Sequence, residues 1–103
     1  CNAFAQQEPN LARYKSVDEK LKVWLKHCNE LLNADEYLKL IKASEKGILL
    51  AQNRPAYIAK FYFLKGFGYE FNNNQYKEAV SNYETALSYA QQFFEKNAGI
   101  HCY

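Results

Sequence analysis

Apolar residues recur at helical spacing along four stretches of the chain, and short polar segments separate these stretches. In the first stretch, Ser16 followed three residues later by Glu19 matches a capping box, and apolar residues then recur from Leu21 to Leu32. We therefore predict a helix over about residues 17–32. The polar segment NADEY interrupts the pattern, and its acidic residues suit the N-terminal end of a following helix.

Three further helices are predicted from the same periodicity. The second carries one apolar stripe, which consists of Tyr37, Leu40, Ile41, Ser44, Gly47, Ile48 and Ala51. It ends at QNRP, where Pro55 suits the first turn of a third helix that continues to about Phe71. The segment NNNQ then forms a turn before a fourth helix near Tyr76. Such short connections make sequential helices antiparallel, either in a closed bundle or in a stack of helical hairpins.

An internal repeat favours the stack of hairpins. A shift of 39 residues aligns identical residues, among them Leu25 with Leu64, Asn33 with Asn72, Tyr37 with Tyr76, Glu45 with Glu84 and Ala51 with Ala90. The same shift pairs residues of similar type, such as Trp24 with Phe63 and Gly47 with Ala86. Self-similarity at a period of this size indicates a solenoid, in which each hairpin buries its face on the next.

The segment YFLKGFGYEFNNNQYKEAVSNYETALSYA resembles the tetratricopeptide repeat family. That family sets an aromatic residue, a Gly and a Tyr on the first helix of a repeat, and an Ala, an aromatic residue and a second Ala on the other. The matching residues here are Tyr62, Gly66, Tyr69, Ala79, Tyr83 and Ala86. The earlier repeat carries Trp24, Cys28, Leu31, Leu40, Ser44 and Gly47 at these positions. The 39-residue period resembles the longer-helix variant found in bacterial regulators and signalling scaffolds.

This resemblance implies an all-α fold of antiparallel helical hairpins, stacked as a right-handed α-solenoid of two repeats plus the start of a third. We assign residues 1–15 to a polar leader and 16–103 to the repeat domain, with repeats over about 17–53 and 55–95 and a further repeat starting at 97–103. Small and aromatic residues are expected to pack the repeats together, namely Trp24, Cys28, Gly47, Tyr62, Gly66, Tyr69, Ala79, Tyr83 and Ala86.

The family binds a segment of another protein in a groove lined by the first helices of successive repeats. Because NNNQ looks one residue longer than usual, the third helix has two possible registers. One register places Lys60, Phe63, Phe67 and Glu70 in the groove, and the other places Phe61, Leu64, Gly68 and Phe71 there. The candidate groove residues are Lys22, Leu25, Asn29, Lys60, Phe63, Phe67, Glu70 and Phe71, with Leu32 beside them. The family's clamp for chaperone tails places Lys one turn before Asn. Leu25 precedes Asn29 here, so an apolar ligand stripe is expected.

Composition and charge weigh against other classes of function. The chain has 13 Lys and Arg against 11 Asp and Glu, and the basic residues are dispersed, so a polyanionic partner is not expected. The aromatic third helix with Lys60 and Lys65 leaves nucleic-acid binding as a remote alternative. No apolar run approaches the roughly 18 residues that a membrane span needs, so no span is expected.

No catalytic, metal or cofactor site is predicted. His27 with Cys28, and His101 with Cys102, are sequence neighbours that point to different helix faces, and no further ligand follows at chelating spacing. Gly66 lies inside a helical stripe and not in a phosphate-binding turn. Cys28 is expected to be a packed residue and not a reactive thiol.

The first and last residues bear on location and on further repeats. The chain contains no Met, and Ala3 with Ala5 matches the small-residue pattern of a secretory cleavage site, which would make residues 1–5 the tail of a signal peptide. A lipid-modified Cys1 and an arbitrary cut before a polar leader are the alternatives. A periplasmic or otherwise exported location is therefore favoured over a cytoplasmic one. At the other end, AGIHCY is expected to begin another repeat.

Together these features favour a non-enzymatic protein–protein interaction scaffold from a bacterial exported or membrane-associated sensor or regulator. The expected partners are a protein or peptide segment in the groove and further repeats of the same chain, without nucleic acid or cofactor. The alternative is a structural spacer whose repeats pack only within their own chain.

Overall fold

Four α-helices make up the computed structural model, which describes residues 7–97. In chain order they are α1 (Val17–Asn33), α2 (Tyr37–Leu50), α3 (Pro55–Phe71) and α4 (Tyr76–Asn97). A short 3-10 turn, Leu11–Arg13, precedes α1, and no strand occurs within the described range. The all-α class is confirmed. The predictions that involve Cys1, Ala3, Ala5, His101, Cys102 and the start of another repeat lie outside the described residues.

The helix starts are set by local sequence signals. The hydroxyl of Ser16 accepts a hydrogen bond from the backbone N–H of Glu19 at 3.0 Å, and the Glu19 carboxylate accepts one from the backbone N–H of Ser16 at 3.4 Å. This reciprocal pair is the capping box that the sequence predicts for α1. Pro55 opens α3, where its missing N–H removes a donor that the first turn would leave unpaired.

The turns between the helices contain Asp and Asn in the left-handed region. The residues with positive φ are Asp35, Asn53, Asn73 and Asn74, at 53° to 66°. Short polar side chains tolerate this backbone better than most residues do. In the first turn the Tyr37 hydroxyl donates to Asp35 at 2.7 Å, and in the last turn the Tyr76 hydroxyl donates to Asn74 at 3.0 Å. The two turns thus share one hydrogen-bonding arrangement.

Helix bounds fix the register of the repeat. Both α1 and α3 have 17 residues, and α3 begins and ends 38 positions after α1. By contrast, α4 begins 39 positions after α2, so the extra residue lies in the turn NNNQ. The burial of side chains also supports a shift of 38 residues between α1 and α3. Lys22 is exposed, and a shift of 38 pairs it with exposed Lys60, whereas a shift of 39 pairs it with fully buried Phe61. The 39-residue alignment of Leu25 with Leu64, and of Trp24 with Phe63, is therefore wrong for the first helices.

The third helix is the central element of the arrangement. It contacts α1, α2 and α4, whereas α4 contacts α3 alone among the described helices. Arg54, just before α3, forms an ion pair with Asp18 in the first turn of α1 at 2.9 Å, so the N-terminal ends of α1 and α3 lie together. The molecule measures 48 × 37 × 17 Å, about two helices thick. The arrangement is open and repeat-like, since in a closed four-helix bundle α4 would also contact α1.

The core lies between α1, α2 and α3. Its largest fully buried side chains are Trp24, Phe61, Leu21, Leu31, Leu40, Cys28 and Ser44. The indole N–H of Trp24 donates to the backbone carbonyl of Ala43 at 2.7 Å, which satisfies the one polar atom of this side chain inside the core. The Trp24 ring therefore joins α1 to α2 by both packing and hydrogen bonding.

Small residues mark the closest approaches between helices. A Cβ at Gly47 would lie 2.5 Å from the Phe61 ring, and a Cβ at Gly66 would lie 2.5 Å from the Tyr83 ring. Any side chain at these positions would push the neighbouring ring away. Ala79 and Ala86 are also buried. Of the residues assigned to repeat packing, the tyrosines Tyr62, Tyr69 and Tyr83 are half-buried, and all the others are buried.

Candidate binding surface

The predicted groove positions of α1 lie at its surface. Lys22 and Asn29 are exposed, and Leu25 between them is half-buried and packs against the core. The Asn29 side-chain amide donates to the backbone carbonyl of Leu25 at 3.1 Å, so one of its two donor hydrogens is used within the helix. A ligand along α1 would meet a lysine, the edge of a leucine and the remaining groups of the Asn29 amide.

The predicted positions of α3 form a stripe that becomes more open towards its ends. Lys60 is exposed, Phe63 and Phe67 are half-buried, and Phe71 is 52% exposed. The ring centroids of Phe67 and Phe71 lie 6.2 Å apart in a stacked arrangement. Three residues of the other register, Phe61, Leu64 and Gly68, are buried and cannot line a surface, whereas its last residue, Phe71, is exposed at the end of the helix. The open surface of α3 therefore follows the register of Lys60, with Phe71 added from the other register.

Tyr83 of α4 supports this stripe from behind. Its ring lies 6.1 Å from Phe63 and 5.6 Å from Phe67, measured between centroids. Its hydroxyl donates to the Glu70 carboxylate at 2.6 Å. Burial and this hydrogen bond both raise the pKa of Tyr83, so the hydroxyl stays protonated in neutral solution. Glu70 is thus held by a hydrogen bond from α4, so it contributes to the contact between α3 and α4 in addition to any contact with a ligand.

The lysines of α3 do not form a free basic rail. Lys65 pairs with Glu45 of α2 at 3.3 Å, and its ammonium lies 5.9 Å from the centroid of the Tyr62 ring. The ammonium of Lys60 lies 5.4 Å from the centroid of the Tyr57 ring. One of the two charges that motivated the nucleic-acid alternative is therefore neutralised by an ion pair.

The isolated histidine and cysteine of α1 show no reactive geometry. Burial raises the pKa of the Cys28 thiol to about 12, with the neighbouring Ser44 opposing this shift in part, so the thiol is protonated at neutral pH. Burial also lowers the pKa of His27, against the opposing charges of Glu8 and Glu30. Over residues 7–97, no group of three His, Cys, Asp or Glu side chains converges as metal ligands would.

Two cavities lie outside the predicted groove. An open cleft of about 910 Å³ is lined by Ile48, Leu49, Gln52, Asn53, Pro55, Ile58, Tyr89, Gln92 and Glu95. A smaller cavity of about 290 Å³ is lined by Glu8, Trp24, His27, Leu31, Lys39, Lys42, Ala43 and Lys46. Of the residues predicted for groove or packing, Trp24 alone lines one of these two cavities. The sequence signal that could have revealed the second cavity is the i, i+3, i+7 spacing of Lys39, Lys42 and Lys46, which places them on one helix face.

Comparison with known proteins does not assign the chain to a family. No family model, curated protein or solved structure matches the chain. Among the helices of the described range, none combines the length and the apolar character required to cross a membrane. The functional conclusion therefore depends on the geometry of the surface itself.

Proposed function

We propose that this chain is a non-enzymatic protein-interaction module that holds a peptide or helical segment of another protein along α1 and α3. Its resemblance to the tetratricopeptide repeat family implies a role in a bacterial sensor, regulator or surface scaffold. The tetratricopeptide-like stacking of the two hairpins is part of this proposal. The equal lengths of α1 and α3 and the shared turn geometry support it.

The observation that carries the proposal is the partly open aromatic stripe of α3. Phe71 exposes half of its surface, and Phe67 and Phe63 continue the same stripe with partly open rings. Exposed aromatic rings held by a rigid helix lose little conformational entropy on binding and supply large apolar contacts. The parallel neighbour α1 adds Lys22 and Leu25, so an apolar segment with an acidic flank suits the surface.

A display selection tests this proposal. Random peptides are selected for binding to the full chain, and their dissociation constants are then measured for the parent and for Phe71→Ala. Loss of this ring should weaken the binding of selected peptides by about fivefold or more, because burying half of a Phe side chain contributes about 1 kcal/mol or more. Lys22→Glu should weaken the binding of those selected peptides that also contact α1.

Matched variants keep this test specific. Phe94→Ala removes an aromatic residue of α4 that is 71% exposed, and Lys77→Glu reverses an exposed charge on α4. Neither should change the affinity by more than about twofold, since surface changes away from a contact have small effects. Equal losses in Phe71→Ala and Phe94→Ala would contradict the proposed location. Turnover of a substrate that depends on one polar side chain would contradict a non-enzymatic function.

A structural spacer is the second candidate, and the outer face of α4 favours it. That face exposes a stripe of Tyr76, Val80, Leu87 and Phe94. A stripe of this kind suits packing against a further helix. The spacer is favoured if no selected peptide depends on Phe71 and if Leu87→Lys destabilises the natural gene product by about 1 kcal/mol or more.

A further inference from the structure

The smaller cavity, of about 290 Å³, belongs to the first hairpin and lies apart from the stripe of α3. Its apolar wall includes Trp24 and Leu31 of α1 and Ala43 of α2. Trp24 is held in place by its hydrogen bond to Ala43 and is 1% exposed, so this wall is rigid.

Three lysines of α2 give the cavity a positive rim. Lys39, Lys42 and Lys46 are spaced by three and four residues and therefore lie on one helix face. The ammonium of Lys46 lies 4.5 Å from the centroid of the Trp24 ring, and that of Lys39 lies 3.9 Å from the Glu36 carboxylate in an exposed pair. Over residues 7–97, neither Lys42 nor Lys46 forms an ion pair. Two ammonium groups at this rim are thus available to an anion.

The second hairpin provides an internal control for these lysines. The positions 39 residues later on α4 carry Glu78, Ser81 and Thr85. The same helix-turn-helix unit therefore forms with an acidic and two neutral residues at these places. Helix packing does not require the three lysines, so their clustering on the first hairpin calls for a separate cause.

His27 adds an unsatisfied polar group to the same cavity. Its side chain is 3% exposed, and its Nδ1 atom has no hydrogen-bond partner. Buried polar atoms nearly always have a partner in folded proteins, and each exception needs an explanation, of which a bound water or ion is one. The imidazole ring packs beside Trp24, with ring centroids 4.9 Å apart, so it belongs to the buried wall behind the lysine rim.

A carboxylate of the chain itself already lies at this cavity. Glu8, in the segment before α1, is one of the lining residues, and its charge acts on His27. We propose that this cavity binds the carboxylate of an acidic peptide segment, and that Glu8 is an internal competitor for the same place. The ligand's carboxylate would accept hydrogen bonds from Lys42 and Lys46, and the Lys46 ammonium lies over the Trp24 ring.

Fluorescence titration tests the proposal directly, because Trp24 is the one tryptophan of the chain and lines the cavity. A terminally blocked tetraglutamate peptide is added to the full chain at low salt. Lys42→Glu should weaken binding by about tenfold or more, since ammonium–carboxylate contacts are strong hydrogen bonds. Lys77→Glu makes the same charge change at an exposed position of α4 and should leave the affinity within about twofold. Glu8→Gln should tighten binding several-fold by removing the competitor.

Three results would overturn this proposal. Equal weakening by Lys42→Glu and Lys77→Glu, with far-UV circular dichroism showing both variants folded, would indicate general charge attraction. Weaker binding by Glu8→Gln would contradict the competition. Tighter binding of inorganic phosphate or of a short single-stranded RNA, with the same dependence on Lys42, would assign the cavity to phosphate and not to an acidic peptide. A peptide that binds with the expected pattern of variants supports the carboxylate site.

Discussion

The two hairpins use the same helix-turn-helix unit, but their second helices meet very different surroundings. Ile41 of α2 is 8% exposed, whereas Val80, which stands 39 residues later on α4, is 51% exposed. Ile48 of α2 is half-buried, and its counterpart Leu87 is 59% exposed. The difference follows from α3, which covers the face of α2, while no described helix covers the same face of α4.

Some features of the fold arise within each hairpin, and others arise from the packing of one hairpin on the next. The turn belongs to the hairpin, since both copies have it. The closest approaches occur in both kinds of contact, because Gly66 meets Tyr83 within a hairpin and Gly47 meets Phe61 between the hairpins. Burial of the outer stripe depends on a neighbouring helix, because within residues 7–97 α3 packs on this face of α2 and no described helix packs on that face of α4. Such nearest-neighbour dependence is typical of repeat proteins, in which stability is a sum of unit and interface contributions.

The largest expected difference between the hairpins lies at their equivalent aromatic positions, Trp24 and Tyr62. Trp24→Ala should reduce the free energy of unfolding by about 3–5 kcal/mol, because it removes a buried ring and its hydrogen bond to the Ala43 carbonyl. Tyr62 is half-buried and stacked on Tyr89, with centroids 5.8 Å apart, so Tyr62→Ala should lose about 2 kcal/mol. Urea denaturation measures both. Equal losses would show that the two hairpins contribute equally to the core.

Overpacking should have a similar effect in both hairpins. Gly47 and Ala86 occupy equivalent buried positions on α2 and α4. Replacing either with Leu should lower the free energy of unfolding by about 1–3 kcal/mol, since Gly47 lies directly against the Phe61 ring and Ala86 is fully buried. Thermal melting of the two variants checks this expectation. An Ala86→Leu variant that melts no lower than the parent would contradict the equivalence of the helices.

A smaller effect should appear as a pH dependence confined to the first hairpin. Burial is the main cause that lowers the pKa of His27 from 6.5; Lys46 adds to the shift, and the charges of Glu8 and Glu30 oppose it. Because the folded pKa is below the unfolded one, His27 contributes stability above about pH 6.5 that is lost as pH falls through the folded pKa. Urea midpoints between pH 7.5 and 5 should fall less steeply for His27→Gln than for the parent. Equal slopes would show that His27 is not buried in its neutral form.

The boundaries of the fold could be predicted from the sequence because local chemistry sets them. Ser16 with Glu19 marks the start of α1, and Pro55 marks the start of α3. The register of α3 was less accessible, because chance identities such as Leu25 with Leu64 pointed to a 39-residue shift for every helix. One additional residue in NNNQ moves each side chain of a helix by about 100°, and only burial separates the two registers.

The candidate surfaces could be predicted only in part. Exposure of Lys22 follows from the helical pattern of α1, whereas exposure of Lys60 and Phe71 depends on the register of α3. The contacts of Tyr83 with Phe63, Phe67 and Glu70 depend on the position of α4 against α3, which no local pattern encodes. The basic cavity depends likewise on Glu8 and His27, which come from different segments.

Thiol labelling of Ile41→Cys and Val80→Cys tests most directly whether α3 covers α2 while α4 stays open. Each variant is prepared with Cys1 and Cys102 replaced by Ser, and the rate of reaction with a maleimide is followed. Cys28 serves as an internal unreactive reference, because it is fully buried and its pKa is raised to about 12. We expect Val80→Cys to react about as fast as a free thiol and Ile41→Cys to be protected like Cys28. Equal protection of both thiols would indicate a closed four-helix bundle and would contradict the open stack of two hairpins.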